Sequence, residues 1–180
     1  MRIAIGSDHR GYQAKEKIKA MLVSKGYETL DMGTDSPASF DYPDAAYPTC
    51  KAIVNGQADR GILLCGTGIG MCIIANKVQG IRAAPCHDEL TAEMSRRHNN
   101  ANVLCLPADL IGEELIRRIV EVFLKCPFEG GRHERRVKKI TEFEMKEHAC
   151  DHKESAPAVH KEHAPVHKEH ARDAGLAPRE

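Results

Sequence analysis

The strongest chemical signal in this sequence is a cysteine at the end of an apolar run, followed by three alternate glycines. Leu63-Leu64-Cys65-Gly66-Thr67-Gly68-Ile69-Gly70 reads as a buried strand entering a tight turn, with a helix over Met71 to Lys77 beyond it. Glycines let such a turn close and bring its backbone N–H groups near a bound anion. A thiol, with an ordinary pKa of roughly 8.5, becomes a useful base or nucleophile when a helix N-terminus or a cation lowers that value. The turn therefore combines a candidate proton acceptor with a candidate anion cradle. Most free cysteines are simply small buried hydrophobes, and that is the plain reading of Cys72, Cys105 and Cys126.

A second strand-end turn, Gly6-Ser7-Asp8-His9-Arg10-Gly11, places Asp8 and His9 side by side before a helix. Asp8 could equally be an ordinary helix N-cap. His98-Asn99-Asn100 follows Arg96-Arg97 at the end of a helix, where a histidine often only complements the helix dipole. Gly130-Gly131-Arg132-His133-Glu134-Arg135-Arg136 is basic out of proportion to the rest of the chain. Arg132 and Arg136 are four apart, so they share a helical face and could grip a phosphate, although a solvated charged face has the same pattern.

The elements that must position these groups follow from hydrophobic periodicity. Short runs rich in Ile, Val and Leu at 2–6, 28–32, 60–65, 81–85 and 102–106 alternate with stretches of helical period, the pattern of βα units around a parallel sheet. Most of the runs lack polar alternation and read as strands buried on both faces. Residues 12–25 put Ala14, Ile18, Met21 and Leu22 on one helical face, with Gly26 as a left-handed cap. Residues 111–124 repeat this with Ile111, Leu115, Ile119 and Phe123, and Cys126-Pro127 lies just beyond. A final charged helix over 132–148 carries Val137, Ile140 and Phe143, suited to lie on the domain or on a second subunit. The fold class is α/β, with a five-stranded parallel sheet.

The 180 residues suit one domain. Lys plus Arg and Asp plus Glu balance at 26 each, which argues against a nucleic-acid or anionic-membrane footprint. The sequence shows neither a secretion signal nor an apolar run of membrane-spanning length. Seven cysteines without paired spacing suggest reduced thiols in a cytoplasmic protein, and no zinc framework is apparent. From about Asp151 two near-repeats, His160-Lys161-Glu162-His163-Ala164-Pro165 and His167-Lys168-Glu169-His170-Ala171-Arg172, change the composition. With no Ile, Phe, Met, Tyr or Trp after 150, this segment buries too little to offset its ordering entropy. The expected organisation is a domain over 1–148 and a disordered His-rich tail over 149–180; such tracts can bind metal ions, but a solvated appendage is the simpler reading.

Taken together, Ser7-Asp8-His9-Arg10-Gly11, Asp41-Tyr42-Pro43, Cys65 to Gly70, Ala75-Asn76-Lys77, His98-Asn99 and Gly130-Gly131-Arg132-His133 resemble the ribose-5-phosphate isomerase B family over residues 1–148. The resemblance implies a Rossmann-like three-layer αβα homodimer, with sites at the subunit interface and without metal or nicotinamide. It would interconvert ribose 5-phosphate and ribulose 5-phosphate through an enediolate. By that resemblance Cys65 moves the proton, the amides of Gly66, Gly68, Ile69 and Gly70 stabilise the oxyanion, and Thr67 assists at the oxygens. His98 opens the furanose ring and Asp8 holds or deprotonates a hydroxyl. His9, Arg132 and Arg136 bind phosphate, some from the partner subunit, while Asn99 and Tyr42 line the sugar. One departure stands out: many members carry Arg after the fifth strand, where Leu106-Pro107-Ala108-Asp109 puts an acid, whose plain reading is a cap for the following helix.

Two rivals remain. The same scaffold could isomerise a six-carbon sugar phosphate such as galactose 6-phosphate or allose 6-phosphate. Alternatively, the chain could be a nucleotide-binding module that uses the glycine turn for a pyrophosphate, with Asp88 at a plausible ribose-binding separation; but the turn's spacing is GxGxG, neither GxGxxG nor GxxxxGK[ST].

Overall fold

A computed structural model describes residues 1–154 of the chain. Strands and helices alternate as β1 (Arg2–Ser7), α1 (Tyr12–Ser24), β2 (Glu28–Asp31), α2 (Tyr42–Val54), β3 (Arg60–Cys65) and α3 (Ile69–Ala75), then β4 (Ala83–Pro85), α4 (Glu89–Arg97), β5 (Val103–Pro107), α5 (Glu113–Lys125) and α6 (Arg132–Glu154). All the strand pairings are parallel, in the order β2-β1-β3-β5-β4. The five expected strands are present, β3 with its expected bounds and the others with one or both ends moved by one or two residues.

Side chains alternate across the sheet and build two cores. Ile3, Ile5, Ile62, Leu64, Leu104 and Leu106 pack with α1 and α5, including the fully buried Leu22, Ile119 and Phe123. Leu63, Cys65, Val103 and Cys105 turn the other way, onto Ala45, Ala46 and Cys50 of α2 and Met71 and Ala75 of α3. Two helical layers on one sheet are the expected αβα sandwich, and each fully buried aliphatic or aromatic side chain contributes roughly 1.5–3 kcal/mol.

Where the sequence marked only the segment Asp41-Tyr42-Pro43, the structure begins a 13-residue helix. Pro43 sits in its first turn, where no N–H donor is needed. The buried face of α2 is made of Ala45, Ala46, Thr49, Cys50 and Ala52, small residues that bring it close to the sheet. The helix after the glycine turn starts at Ile69, two residues before the expected Met71. Gly26 has φ 80° and ends α1 as the left-handed cap expected.

Two contacts fix the loops at the carboxyl ends of the strands. Lys15, on the buried side of α1, donates to both Asp31 carboxylate oxygens at 2.7 Å and to the Thr34 carbonyl at 2.7 Å, tying α1 to β2 and the loop after it. Gly11 lies on β3: an added Cβ would stand 2.5 Å from the Leu64 carbonyl oxygen. At the far end of the chain, α6 runs through the expected boundary at 148 to Glu154, and the rest of the tail lies outside the described residues.

Gly11→Ala must push the first turn of α1 off the backbone of β3. The expected loss of stability is about 1–3 kcal/mol, checked by urea denaturation, and an unchanged midpoint would contradict this packing.

Candidate active site

The chain leaves β1 for β2 on one side and reaches β3 on the other through α2, so the sheet reverses its winding between β1 and β3. In open α/β sheets ligands bind in the crevice outside the carboxyl ends of strands at such a point. Ser7 pairs with Leu64 in register, and Asp8 N–H donates to the Leu64 carbonyl at 3.3 Å. Asp8 and Cys65, the next residues on their strands, therefore stand side by side at the crevice.

Cys65 is largely buried but not sealed, with 6% of its surface exposed. The Gly68 N–H donates to its sulfur at 3.1 Å. This amide, expected among the oxyanion donors, is directed at the thiol instead. Ile69 N–H makes a longer contact, 3.4 Å, with Thr67 Oγ1, and the exposed Thr67 hydroxyl stands at the rim. The first-turn amides of α3 have no partner four residues back within the helix and remain as donors.

The three glycines are needed for different reasons. Only Gly68 takes a left-handed backbone, φ 74°. A side chain on Gly70 would meet the Tyr42 ring at 2.9 Å, which shows the tyrosine lying on the turn, and one on Gly66 would collide with Arg10 and Asp109. Asp8 is not the cap of α1: its Oδ1 accepts from the N–H groups of Arg10 and Gly11, both at 2.9 Å, and shapes the loop. His9 is braced through Nδ1 against the Phe40 backbone, where the N–H lies at 3.3 Å and the carbonyl at 3.2 Å, so Nε2 is outside that contact. Asp109 is not a helix cap either, since α5 starts after Gly112; it pairs with Arg10. Asp88 caps α4 in a reciprocal box with Thr91, the bland alternative to a ribose ligand.

The remaining expected residues are elsewhere. Helix α4 runs back from the carboxyl end of β4, and His98 closes it just before β5 begins. His98, Asn99 and the start of α6 thus sit at the amino end of the sheet, separated from Cys65 along the strand direction by the five residues of β5, roughly 15 Å. There His98 stacks flat on the buried His133, ring centroids 4.1 Å apart. Arg132 Nε donates to His133 Nε2 at 3.3 Å, which requires a neutral ring at that nitrogen. Desolvation, then the neighbouring His98 and Arg132, lowers the His133 pKa. Glu129 lies 3.7 Å from His98 Nε2 and 3.6 Å from His133 Nε2, and Arg97 Nε donates to it at 2.6 Å. Behind this group Arg96 holds Asn100 Oδ1 at 3.0 Å, and Asn100 turns the chain with φ 48°. His98, Glu129 and His133 bring potential metal-ligand atoms within 4.8 Å of one another, but Arg97 and Arg132 already engage Glu129 and His133, so the cluster reads as a charge network orienting His98. Arg132 and Arg136 are exposed on the first turns of α6. One chain thus brings Asp8, His9, Tyr42, Cys65, Thr67 and the glycine turn together and holds His98, Asn99, Arg132 and Arg136 at the opposite end.

Known proteins share this architecture and its sequence. Residues 3–140 match the family model described as Ribose/Galactose Isomerase. The chain is 47% identical over 148 residues to D-erythrulose-4-phosphate isomerase of Pectobacterium atrosepticum, covering 82% of this chain and 97% of that one. Ribose-5-phosphate isomerase B of Clostridium thermocellum has a similar structure, with a TM-score of 0.81 at 50% identity over 82% of this chain and 99% of that one. Ribose-5-phosphate isomerase B of Mycoplasma genitalium, solved with bound ribulose-5-phosphate, gives a TM-score of 0.77 at 44% identity over 81% and 97%.

Cys105 fits its reading as a buried hydrophobe, but Cys72 does not. It is half-buried on α3, and its pKa is lowered to about 7, first by a hydrogen bond from Cys105 and then, against desolvation, by Asn76 Nδ2 at 3.4 Å. Burial pushes Cys50 up to about 12 and Cys86 up to about 11. Because the thiolate is the reactive form, alkylation of Cys72 should be slow below neutrality and accelerate as pH rises through 7, while Cys50 and Cys86 stay unlabelled in the native protein. Mass spectrometry of partially alkylated protein checks this; labelling of Cys50 or Cys86 ahead of Cys72 would contradict it.

Proposed function

From the premise that this chain belongs to the ribose/galactose isomerase family, we propose that it interconverts ribose 5-phosphate and ribulose 5-phosphate, with Cys65 moving the proton. It is an aldose-ketose isomerase of the ribose-5-phosphate isomerase B type. The observation that carries the assignment of the crevice is the Cys65 sulfur beside Asp8, held by the Gly68 amide at the switch point of the sheet.

In the aldose-to-ketose direction Cys65, as thiolate, takes the proton from C2 and returns it to C1. Negative charge develops on the sugar oxygens in the enediolate between these steps. Donors of the first turn of α3 offset that charge, and the Thr67 hydroxyl relays a proton between the oxygens. Asp8, its Oδ1 engaged by the loop, offers its other oxygen to a sugar hydroxyl, and Tyr42 walls the sugar from the side of Gly70. His9 Nε2 takes part in holding the phosphate.

The ring-opening group and the other phosphate ligands come from a second copy. His98, Asn99, Arg132 and Arg136 cannot reach the crevice of their own chain, which supports a homodimer with two composite sites. Exposed apolar side chains supply surface for it: Ile69 and Ile73 on α3 are 57% and 58% exposed, Ile140 and Phe143 on α6 50% and 65%. Phe143 and Ile140 border a groove of about 620 Å³ against the free edge of β4. In this arrangement α6 serves the partner as much as its own domain.

Among the described residues no helix is long and apolar enough to cross a membrane. A doubly charged sugar phosphate does not pass a bilayer unaided, which supports a cytoplasmic location. The relatives align over about four-fifths of the chain, which supports a catalytic unit that excludes the 149–180 tail.

The expected result is turnover of ribose 5-phosphate, with the higher kcat/KM among tetrose, pentose and hexose phosphates. Cys65→Ala should lower kcat by roughly a hundredfold or more while calorimetric binding of ribose 5-phosphate stays near wild type. Near-normal kcat in Cys65→Ala would remove the thiol from the mechanism, and a preference for a six-carbon phosphate would replace the substrate.

A further inference from the structure

The loops after β1 and β5 are joined over the Gly66 turn by an ion pair. Arg10 Nε donates to Asp109 Oδ2 at 2.5 Å, and a second guanidinium nitrogen reaches the same oxygen at 2.5 Å. The two side chains are 59% and 35% exposed. Gly66 fixes where the pair lies: a Cβ there would stand 2.6 Å from Asp109 Oδ2 and 2.8 Å from Arg10 Nε. Asp109 N–H donates to the Gly66 carbonyl at 3.1 Å, and Ala108 N–H to that of Cys65 at 2.8 Å. The pair therefore rests on the backbone of the turn that carries the thiol.

A bare carboxylate at that place would oppose both the dianionic phosphate and the enediolate. A bare guanidinium would attract them. We propose that Arg10 and Asp109 form a matched charge pair that sets how tightly the crevice holds an anionic sugar phosphate. Arg10 cancels the carboxylate, and Asp109 holds the guanidinium back from the substrate. The proposal deepens the isomerase reading and rests on it. Neither residue touches the reacting atoms; both are positioning residues that tune specificity for the charged end of the substrate.

The net charge of the pair is zero in the native chain, one unit negative in Arg10→Gln, one unit positive in Asp109→Asn and zero again in the double variant. The test is calorimetric Kd of full-length protein for ribose 5-phosphate and for inorganic phosphate, at low and high salt, with kcat and KM measured in parallel. Arg10→Gln should weaken binding roughly three- to tenfold, Asp109→Asn should tighten it by a similar factor, and high salt should shrink both effects. The double variant should return to within about twofold of wild type, because the two charges act as one unit. A pair that merely ties two loops together would give loss of affinity in both single variants and no recovery in the double, and that outcome overturns the proposal. Equal Kd in all four proteins overturns it too. Because Kd is read without turnover, a wild type that binds ribose 5-phosphate and isomerises no sugar phosphate would refute the isomerase reading while the order of affinities still decides the charge pair.

Discussion

One step of the parallel ladder between β1 and β3 shapes the crevice: the Asp8 N–H on the Leu64 carbonyl, at 3.3 Å. It makes Asp8 and Cys65 neighbours at the place where the sheet reverses its winding. A slip of one residue would turn Cys65 to the opposite face of the sheet, onto the α1–α5 core. In this register Ile3, Ile5, Ile62 and Leu64 all face one core, while Leu63 and Cys65 face the other. Hydrophobic packing thereby positions the thiol at the crevice. The glycine turn then completes the place, with Gly68 in a left-handed conformation so that its N–H can meet the sulfur.

The same architecture divides the candidate residues between two poles. Every helix between parallel strands returns the chain from the carboxyl to the amino end of the sheet, so a residue at the end of α4 cannot share a crevice with one at the end of β3. His98 and the basic start of α6 are therefore organised at the other pole, with His133, Glu129 and Arg97 orienting the imidazole. In the proposed homodimer, two-fold pairing of identical chains would resolve the separation, because each copy would present the pole its partner lacks.

The strands, the Cys65 turn and the cap at Gly26 were legible because each rests on local signals: β-branched runs, alternate glycines, a left-handed stop. Helix α2 was not, because its buried face is alanine, threonine and cysteine and it contains two prolines, a pattern without the bulky periodicity that marks α1 and α5. The partner of Asp109 was also hidden, since Arg10 lies 99 residues away and only the topology brings the two loops together. Cys72 looked like any other apolar cysteine; its difference comes from Cys105 on β5 and from Asn76 one turn along α3. The candidate residues themselves were readable from their types and motifs. Their division between two poles was not, because it depends on how many times the chain crosses the sheet before reaching each one.

In the proposed homodimer, a site joins Cys65 of one chain to His98 of another. Mixing inactive Cys65→Ala protein with inactive His98→Asn protein, after dissociation and reassociation of subunits, tests it most directly. Mixed dimers would contain one site with both residues intact, and random pairing of equal amounts should restore about a quarter of wild-type ribose 5-phosphate turnover. No recovery, in a sample where mixed dimers are shown to have formed, would mean that both residues serve the same chain and would contradict a shared site.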